Sequence, residues 1–195
     1  LRKDGRNIFA DETDRFGLSQ DAYYFIGGLM KHVYSMTAIT NPLVNSYKRL
    51  VSGFEAPLHI AWSVTNRSPL IRIPSSFGSG TRIELRSPDS AANPYLTIAL
   101  CLAAGLDGIK NKITPPENIQ KNIFHMTEEE KEQLHIKSLP TNLYDAVCAM
   151  ERDAFIREIL GEHISNVYIG SKKDEWNRYC KAVTEWEVDT YLDKF

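Results

Sequence analysis

Cysteine is scarce in this chain of 195 residues, which contains only three. Cys101, Cys148 and Cys180 lie far apart, and none of them forms the CxxC pair that is typical of a zinc site. Their odd number and helix-like surroundings also argue against a disulfide framework. We therefore expect three reduced thiols in the core of a cytoplasmic protein.

Long apolar runs and an excess of positive charge are missing as well. No apolar stretch approaches the ~20 residues that a membrane-spanning helix needs, so we expect no membrane association. The formal net charge is −2, whereas a general nucleic-acid binder would be basic. The sequence thus predicts a globular protein that binds neither membranes nor nucleic acids.

Acidic residues are nearly absent from one segment, residues 41–86. Its acids are Glu55 and Glu84, against six basic residues, which gives this segment a charge of +4. Five of the six are arginines, whose planar guanidinium binds carboxylate or phosphate through two hydrogen bonds. The pattern predicts a partly buried, positively charged cleft for an anionic ligand. The basic residues are Lys48, Arg49, Arg67, Arg72, Arg82 and Arg86.

The most regular pattern in this segment covers residues 81–86. Charged and apolar residues alternate, so a strand would place Arg82, Glu84 and Arg86 on one face. Neighbours on that face would lie about 6.5–7 Å apart, since each residue rises ~3.3 Å. Such a row suits an anion that is bound together with a metal ion. An exposed strand of mixed charge is the alternative, and the pattern alone favours neither.

The rest of the chain predicts an α+β fold with a helical C-terminal third. We expect a first helix over 18–39, capped by Ser19, and strands near 58–64, 70–73 and 81–86. A second helix begins at Asn93-Pro94 and is apolar nearly all round, which predicts that it is buried. Later helices are expected near 141–151, 153–160 and 162–182, with capping boxes at Thr127/Glu130 and Thr184/Glu187.

Seven short blocks occur in order along the chain and together resemble the catalytic domain of type I (bacterial) glutamine synthetases. They lie at 45–51, 53–57, 66–68, 72–74, 82–86, 91–95 and 104–110. The resemblance is to the C-terminal half of that domain; it covers the whole chain and is densest from 41 to 112. It implies a partial antiparallel sheet or half-barrel packed by helices. Residues 1–112 would complete the catalytic core and 113–195 would form a helical C-terminal region. The N-terminal β-grasp domain and the first half of the catalytic domain would lie outside this chain.

The resemblance implies an ATP-dependent glutamate–ammonia ligase that forms glutamine through γ-glutamyl phosphate. Arg49 and Arg86 would bind the substrate glutamate, and Glu84 would bind Mg²⁺ or Mn²⁺. Arg67 and Arg72 would hold the ATP phosphates and the transferring phosphoryl group, with Arg82 on the nucleotide side. Glu55, on a flap over the site, would help to bind substrate and ammonium and would accept its proton. Glu55 and Arg67 are thus the expected catalytic residues.

Each of these residues also has a purely structural interpretation. Arg49 could end a helix in solvent, Glu84 and Arg86 could form an ion pair on a strand face, and Glu55 could be a solvated loop acid. A γ-glutamyl ligase for a larger amine is the first alternative function, and an ordinary flap carrying Glu55 favours ammonia. A non-catalytic module for assembly or regulator binding is the second, which the complete set of arginines and glutamates argues against.

The resemblance also implies a homo-oligomer of two stacked hexameric rings, locked together by C-terminal helical tails. In such assemblies the N-terminal domain of the neighbouring subunit completes each active site. We therefore expect this chain alone to carry half a site and to be inactive. Enteric relatives carry a regulatory tyrosine where this chain has Phe124, so adenylylation is not expected there.

Overall fold

A computed structural model describes residues 1–51, 56–64, 66–76 and 78–194, with Asp193 described by its backbone alone. Eight α-helices are found in these ranges: α1 Gln20–Thr40, α2 Ser46–Arg49, α3 Pro94–Asn111, α4 Glu128–Gln133, α5 Leu143–Arg152, α6 Ala154–Leu160, α7 Glu162–Lys181 and α8 Glu185–Tyr191. The strands are β1 Arg2–Lys3, β2 Arg6–Asn7, β3 His59–Ser63, β4 Pro69–Arg72, β5 Glu84–Leu85 and β6 Lys137–Ser138. The predicted helices and the strands β3 to β5 lie where the sequence indicated, and the α+β class is confirmed.

Helix α1 is the central element of the fold. The Ser19 side chain accepts a hydrogen bond from the Ala22 amide and so begins the helix, as predicted. The helix ends at Asn41, next to Pro42, which cannot continue a helical hydrogen-bond pattern. Buried apolar residues recur at helical spacing along it and contact α3, α5 and β3. They include Ala22, Phe25, Ile26, Leu29, Val33 and Met36.

Helix α3 begins at the predicted cap, but its expected burial on all sides is wrong for the described chain. The Asn93 side chain accepts hydrogen bonds from the Tyr95 and Leu96 amides. One face carries Leu100 and Ala104 into the core, whereas Tyr95 is 84% exposed. The described chain therefore covers this helix on one side only. The other exposed apolar residues of α3 are Ile98, Leu102 and Leu106.

Glycines let α1 and α3 approach at backbone distance. A Cβ atom built on Gly28 would lie 2.1 Å from the Ala104 carbonyl oxygen, and one on Gly108 would lie 2.0 Å from the Tyr24 carbonyl oxygen. Both distances are far shorter than any real Cβ contact, so only glycine fits at either position. Gly105 is restricted in the same way by the Phe25 ring.

The larger sheet has the order β5-β4-β3-β6 and is mixed. The outer pairs are antiparallel, but the central pair β3–β4 is parallel, which corrects the expected antiparallel sheet. Parallel strands usually need a connection of a dozen or more residues. Here five residues separate the two strands in the sequence. The Asn66 amide bonds to Ser63 Oγ, and Asn66 and Ser68 bond to the backbone of Lys121 and Ile123.

The two faces of this sheet differ in character. Cross-strand partners Trp62, Ile71 and Leu85 belong to the core, where Trp62 meets Tyr23 of α1 edge to face at 5.8 Å. The alternate partners Ser63, Arg72 and Glu84 belong to the opposite face. At β4 and β5 this opposite face is polar and partly exposed, whereas at β3 a second apolar cluster that contains Ala61 and Ile123 covers it.

The C-terminal helices extend the same core. Ile156, Leu160 and Ile169 join the cluster that begins at Phe9, and both predicted capping boxes, at Thr127 and Thr184, are present. The cysteines are unpaired, but only partly as expected, since Cys180 is exposed and Cys101 and Cys148 are half-buried. No helix in the described ranges is long and apolar enough to cross a bilayer.

The glycine contact between α1 and α3 yields a direct test. We expect Gly28→Ala to lower the free energy of unfolding by about 2 kcal/mol or more, because the added methyl group forces two backbones apart. Urea-induced unfolding measures the change. Gly170→Ala is the matched control, since a Cβ there meets nothing within 4 Å and alanine favours helix by up to ~1 kcal/mol. Equal stability of the two variants would contradict the close approach.

Candidate active site

Glu84 lies at the centre of the polar face of the sheet. Its Oε2 atom is 3.5 Å from Arg72 Nη1, and its Oε1 atom is 3.3 Å from Arg82 Nη2. Arg72 and Glu84 are direct partners across the antiparallel β4–β5 pair. The Arg72 and Glu84 side chains are 30% and 34% exposed, so solvent and ligands can reach them.

The row of charges differs in composition from the one that the sequence predicted. The strand covers Glu84–Leu85 rather than 81–86, and the cations around Glu84 are Arg72 and Arg82 rather than Arg82 and Arg86. Side chains on directly paired residues of neighbouring strands lie about 4.5–5.5 Å apart at Cβ, which is closer than the next same-face residue of one strand. The cross-strand arginine therefore replaces the sequence neighbour.

Arg86 contacts the backbone of Arg67. Its amide donates to the Leu70 carbonyl at 3.0 Å, which continues the β4–β5 pairing, and its guanidinium Nη1 donates to the Arg67 carbonyl oxygen. The Arg67 side chain is exposed. Arg67 and Arg86 are thus brought together through the backbone of the β3–β4 connection.

Arg49 reaches the same region from α2. Its Nη2 atom donates to the carbonyl oxygen of Ser87, the residue that follows Arg86. The same oxygen accepts from the buried Asn41 side chain at 2.9 Å, at the end of α1. The Ser87 carbonyl therefore links Arg49, the end of α1 and the exit of β5.

The loop before β5 is fixed by the N-terminal hairpin. Asn7 Nδ2 donates to the carbonyl oxygens of Gly78 and Thr81, at 3.1 and 2.8 Å. Arg82 then donates to Ser76 Oγ at 3.2 Å in addition to its contact with Glu84. These bonds hold Arg82 at the edge of the polar face. Glu55, the expected ammonium-binding residue, lies outside the described residues.

Glu84 could serve as one ligand of a divalent cation. Mg²⁺ takes six oxygen ligands and usually keeps several waters beside one or two carboxylates. No cluster of three or more histidine, cysteine or acidic side chains that could hold a metal occurs in the described ranges. Both Glu84 oxygens also face arginines, so the described residues do not form a complete metal site.

His59 is the histidine that belongs to the sheet, and its chemistry is that of a buried neutral ring. Its Nδ1 atom lies 3.1 Å from Ser138 Oγ, and burial, aided by the charge of Lys131, lowers the pKa of His59. A neutral ring suits the β3–β6 contact better than a role in proton transfer.

The chain that carries these arginines around one glutamate matches a known protein family. The model of the family described as "Glutamine synthetase, catalytic domain" matches residues 1–191. The chain belongs to this family. The expected resemblance is thereby confirmed over almost its full length.

Curated relatives support the same assignment. The glutamine synthetase of Clostridium saccharobutylicum is 52% identical over 195 residues, which are 100% of this chain and 44% of that protein. The glutamine synthetase of Methanosarcina mazei is 55% identical over 192 residues, 98% of this chain and 43% of that protein. The chain therefore spans less than half the length of these relatives.

Solved structures show the same fold. GmaS without ligand superposes with a TM-score of 0.81 at 40% identity, covering 96% of this chain and 41% of that one. A GmaS/ADP complex gives a TM-score of 0.83 at 41% identity, covering 96% of this chain and 43% of that one. The arrangement of α1, α3 and the mixed sheet is thus shared with a glutamine synthetase-like protein.

Sequence reasoning missed the polar groups that hold the arginines. Asn41 and Asp89 each stand beside a proline, and that sequence signal concerns only the local backbone. In the structure the Asn41 side chain bonds to Ser87, and the Asp89 amide bonds to the Thr40 carbonyl at 2.8 Å. The available signal was their position next to the arginine-rich blocks.

The ion pairs of Glu84 are partly exposed, so we expect this residue to contribute little to the stability of the fold. Ion pairs that are one-third exposed contribute about 0–1 kcal/mol, so we expect Glu84→Gln to change the free energy of unfolding by less than ~1 kcal/mol. Urea-induced unfolding measures this, with Glu185→Gln on the exposed helix α8 as the control. A loss well beyond that of the control would mean that Glu84 serves the fold.

Proposed function

We propose that this chain provides one wall of the active site of a glutamine synthetase, an ATP-dependent glutamate–ammonia ligase. The observation that carries the proposal is the Arg72–Glu84–Arg82 cluster with Arg86 beside it, on the polar face of the sheet, in a member of the glutamine synthetase catalytic-domain family. A purely structural surface would not need several arginines around a single carboxylate.

The substrate side of the proposed site involves Arg49 and Arg86. Each guanidinium group donates to a backbone carbonyl, at Ser87 and at Arg67 respectively. A guanidinium is planar and always charged, and it binds a carboxylate through charge-assisted hydrogen bonds. We assign the two arginines to glutamate on the basis of this chemistry and of the family resemblance.

The nucleotide side involves Arg67, Arg72 and Arg82. A γ-carboxylate oxygen of glutamate attacks the terminal phosphorus of ATP, and the bond to the bridging oxygen breaks to release ADP. Negative charge spreads over the transferring phosphoryl oxygens, which these guanidinium groups would neutralise. The ADP complex of the structurally similar GmaS supports a nucleotide at this fold.

The second step forms the amide. Ammonia attacks the acyl carbon, phosphate leaves, and one proton must be accepted. We assign that proton to Glu55, whose loop would also exclude water from the acyl phosphate. Glu84 would contribute one ligand to Mg²⁺ or Mn²⁺, whose chemistry is to neutralise phosphate charge.

The division of the chain stays part of this proposal. Residues 1–112 would contribute to the catalytic core and 113–195 would form the helical C-terminal region. Further ligands of the metal and the opposite wall of the cleft would come from other parts of the enzyme. The unpaired cysteines agree with a cytoplasmic location.

An activity measurement tests this function. We expect the natural protein that carries this sequence to form glutamine and ADP from glutamate, ammonium and ATP. Arg72→Ala should lower kcat/KM by about 100-fold or more, because a donor to the transferring group is lost. Arg152→Ala, an exposed arginine at the end of α5, should leave it unchanged.

The same assay distinguishes the related function. If methylamine or a polyamine replaces ammonium with a higher kcat/KM, the protein is a γ-glutamyl ligase for larger amines. If ATP is not consumed with any of these acceptors, the proposed function is wrong and the assembly role takes its place.

The tail after α7 supports the proposed assembly of two stacked hexameric rings. No residue of α8 is buried, and Trp186 and Leu192 are 65% and 71% exposed. Trp186 contacts Tyr191 edge to face at 5.7 Å, so the tail presents an ordered apolar surface. Such surfaces typically dock on another subunit.

We expect the double variant Trp186→Ser/Leu192→Ser to form a smaller oligomer than the natural protein. Loss of two exposed apolar anchors removes the area that would dock on the facing ring. Mass photometry measures the particle mass. Glu185→Gln on the same helix should not change it, and an unchanged mass in the double variant would contradict the docking role.

A further inference from the structure

Two nitrogen atoms of the Arg49 guanidinium differ in their hydrogen bonding. Its Nη2 atom bonds to the Ser87 carbonyl, whereas its Nε atom is buried and has no hydrogen-bond partner among the described residues. A buried guanidinium N–H without a partner is costly, so a nearby negative charge is expected.

Asp89 is the acid that shares a cavity with Arg49. It lies two residues beyond Ser87 and lines the same cavity of about 520 Å³. No other acidic residue lines this cavity within the described ranges.

Two hydrogen bonds fix the position of Asp89. Its amide donates to the Thr40 carbonyl at 2.8 Å, and its Oδ1 atom accepts from the Ala91 amide at 2.6 Å. The Ser46 hydroxyl accepts from the Leu43 amide at 3.0 Å and lines the same cavity as Asp89. The carboxylate is therefore held between the end of α1 and the start of α2.

The same contacts keep Asp89 ionised. Partial burial opposes ionisation, but the hydrogen bond from the Ala91 amide, together with the Ser46 hydroxyl and the charge of Arg49, lowers the pKa of Asp89 below its ordinary value. At neutral pH an anion therefore shares the cavity with the guanidinium.

We propose that Asp89 is a positioning residue, which orients the guanidinium of Arg49 for glutamate through its negative charge in the cavity that the two residues share. The inference rests on the proposed function, in which Arg49 binds glutamate. An arginine that is oriented before the substrate arrives loses less side-chain freedom on binding.

Kinetics of the natural protein test the inference. We expect Asp89→Asn to raise KM for glutamate about tenfold, as coupling between residues that share a cavity allows, while KM for ATP stays the same. In an Arg49→Lys background the same substitution should have almost no further effect. Additive effects of the two substitutions would show that Asp89 does not act through Arg49.

Asp21→Asn is the matched control. Asp21 is an exposed carboxylate in the first turn of α1, about 30 Å along the helix from Thr40, given a rise of 1.5 Å per residue. Its removal should change neither KM. If it raised KM for glutamate as Asp89→Asn does, the effect would come from overall charge.

A structure of the Asp89→Asn protein separates this inference from the proposed function. We expect the Arg49 guanidinium to leave the Ser87 carbonyl in that variant, whatever reaction the protein catalyses. An unmoved guanidinium would overturn the positioning role even if glutamine is formed. A moved guanidinium in a protein without synthetase activity would overturn only the function.

Discussion

The backbone contact between α1 and α3 is the constraint on which the remaining arrangement depends. Gly28 and Gly108 allow the two helices to touch without intervening side chains, which fixes the position of α1 relative to the rest of the core. One face of α1 then supports the sheet through Tyr23 and Trp62. Its C-terminal end supplies Asn41 and the Thr40 carbonyl, which bind the Ser87 carbonyl and the Asp89 amide. The position of the arginines thus follows from helix packing on the far side of the sheet.

Electrostatic repulsion is the second condition that the site must meet. A segment with six basic and two acidic residues would be unfavourable if its cations converged without compensation. Two of the arginines share Glu84, and two others donate to backbone carbonyls, at Arg67 and Ser87. A carbonyl carries no net charge, so this contact orients a guanidinium without neutralising it, whereas the Asp89 carboxylate shares a cavity with Arg49. The segment has four more basic than acidic residues, so it keeps the net positive charge that suits the anionic substrate proposed for it.

What the sequence could predict was local, and what it could not predict was long-range. At the caps Ser19, Asn93, Thr127 and Thr184, the side chain accepts from backbone amides two or three residues further on, and all four caps are present. The parallel pairing of β3 with β4 depends on a connection held by Lys121 and Ile123, which no local pattern contains. For the same reason the alternation at 82–86 indicated the charged face but gave Glu84 the wrong second cation. The family resemblance supplied the expected roles of the residues, whereas only the folded structure could supply their contacts.

The geometry of the Glu84 contacts also bears on how such a face could work. Separations of 3.3 and 3.5 Å, in side chains about one-third exposed or more, are longer than the 2.7–2.9 Å of a strong charge-assisted hydrogen bond. In the proposed function, weak pairing means that Arg72 and Arg82 would lose little on exchanging Glu84 for a phosphate oxygen. Glu84 would then be available to a cation that accompanies the phosphate. A tight buried ion pair would make the same exchange costly. The partial exposure that limits the contribution of this cluster to stability would therefore suit the reversible binding that we propose.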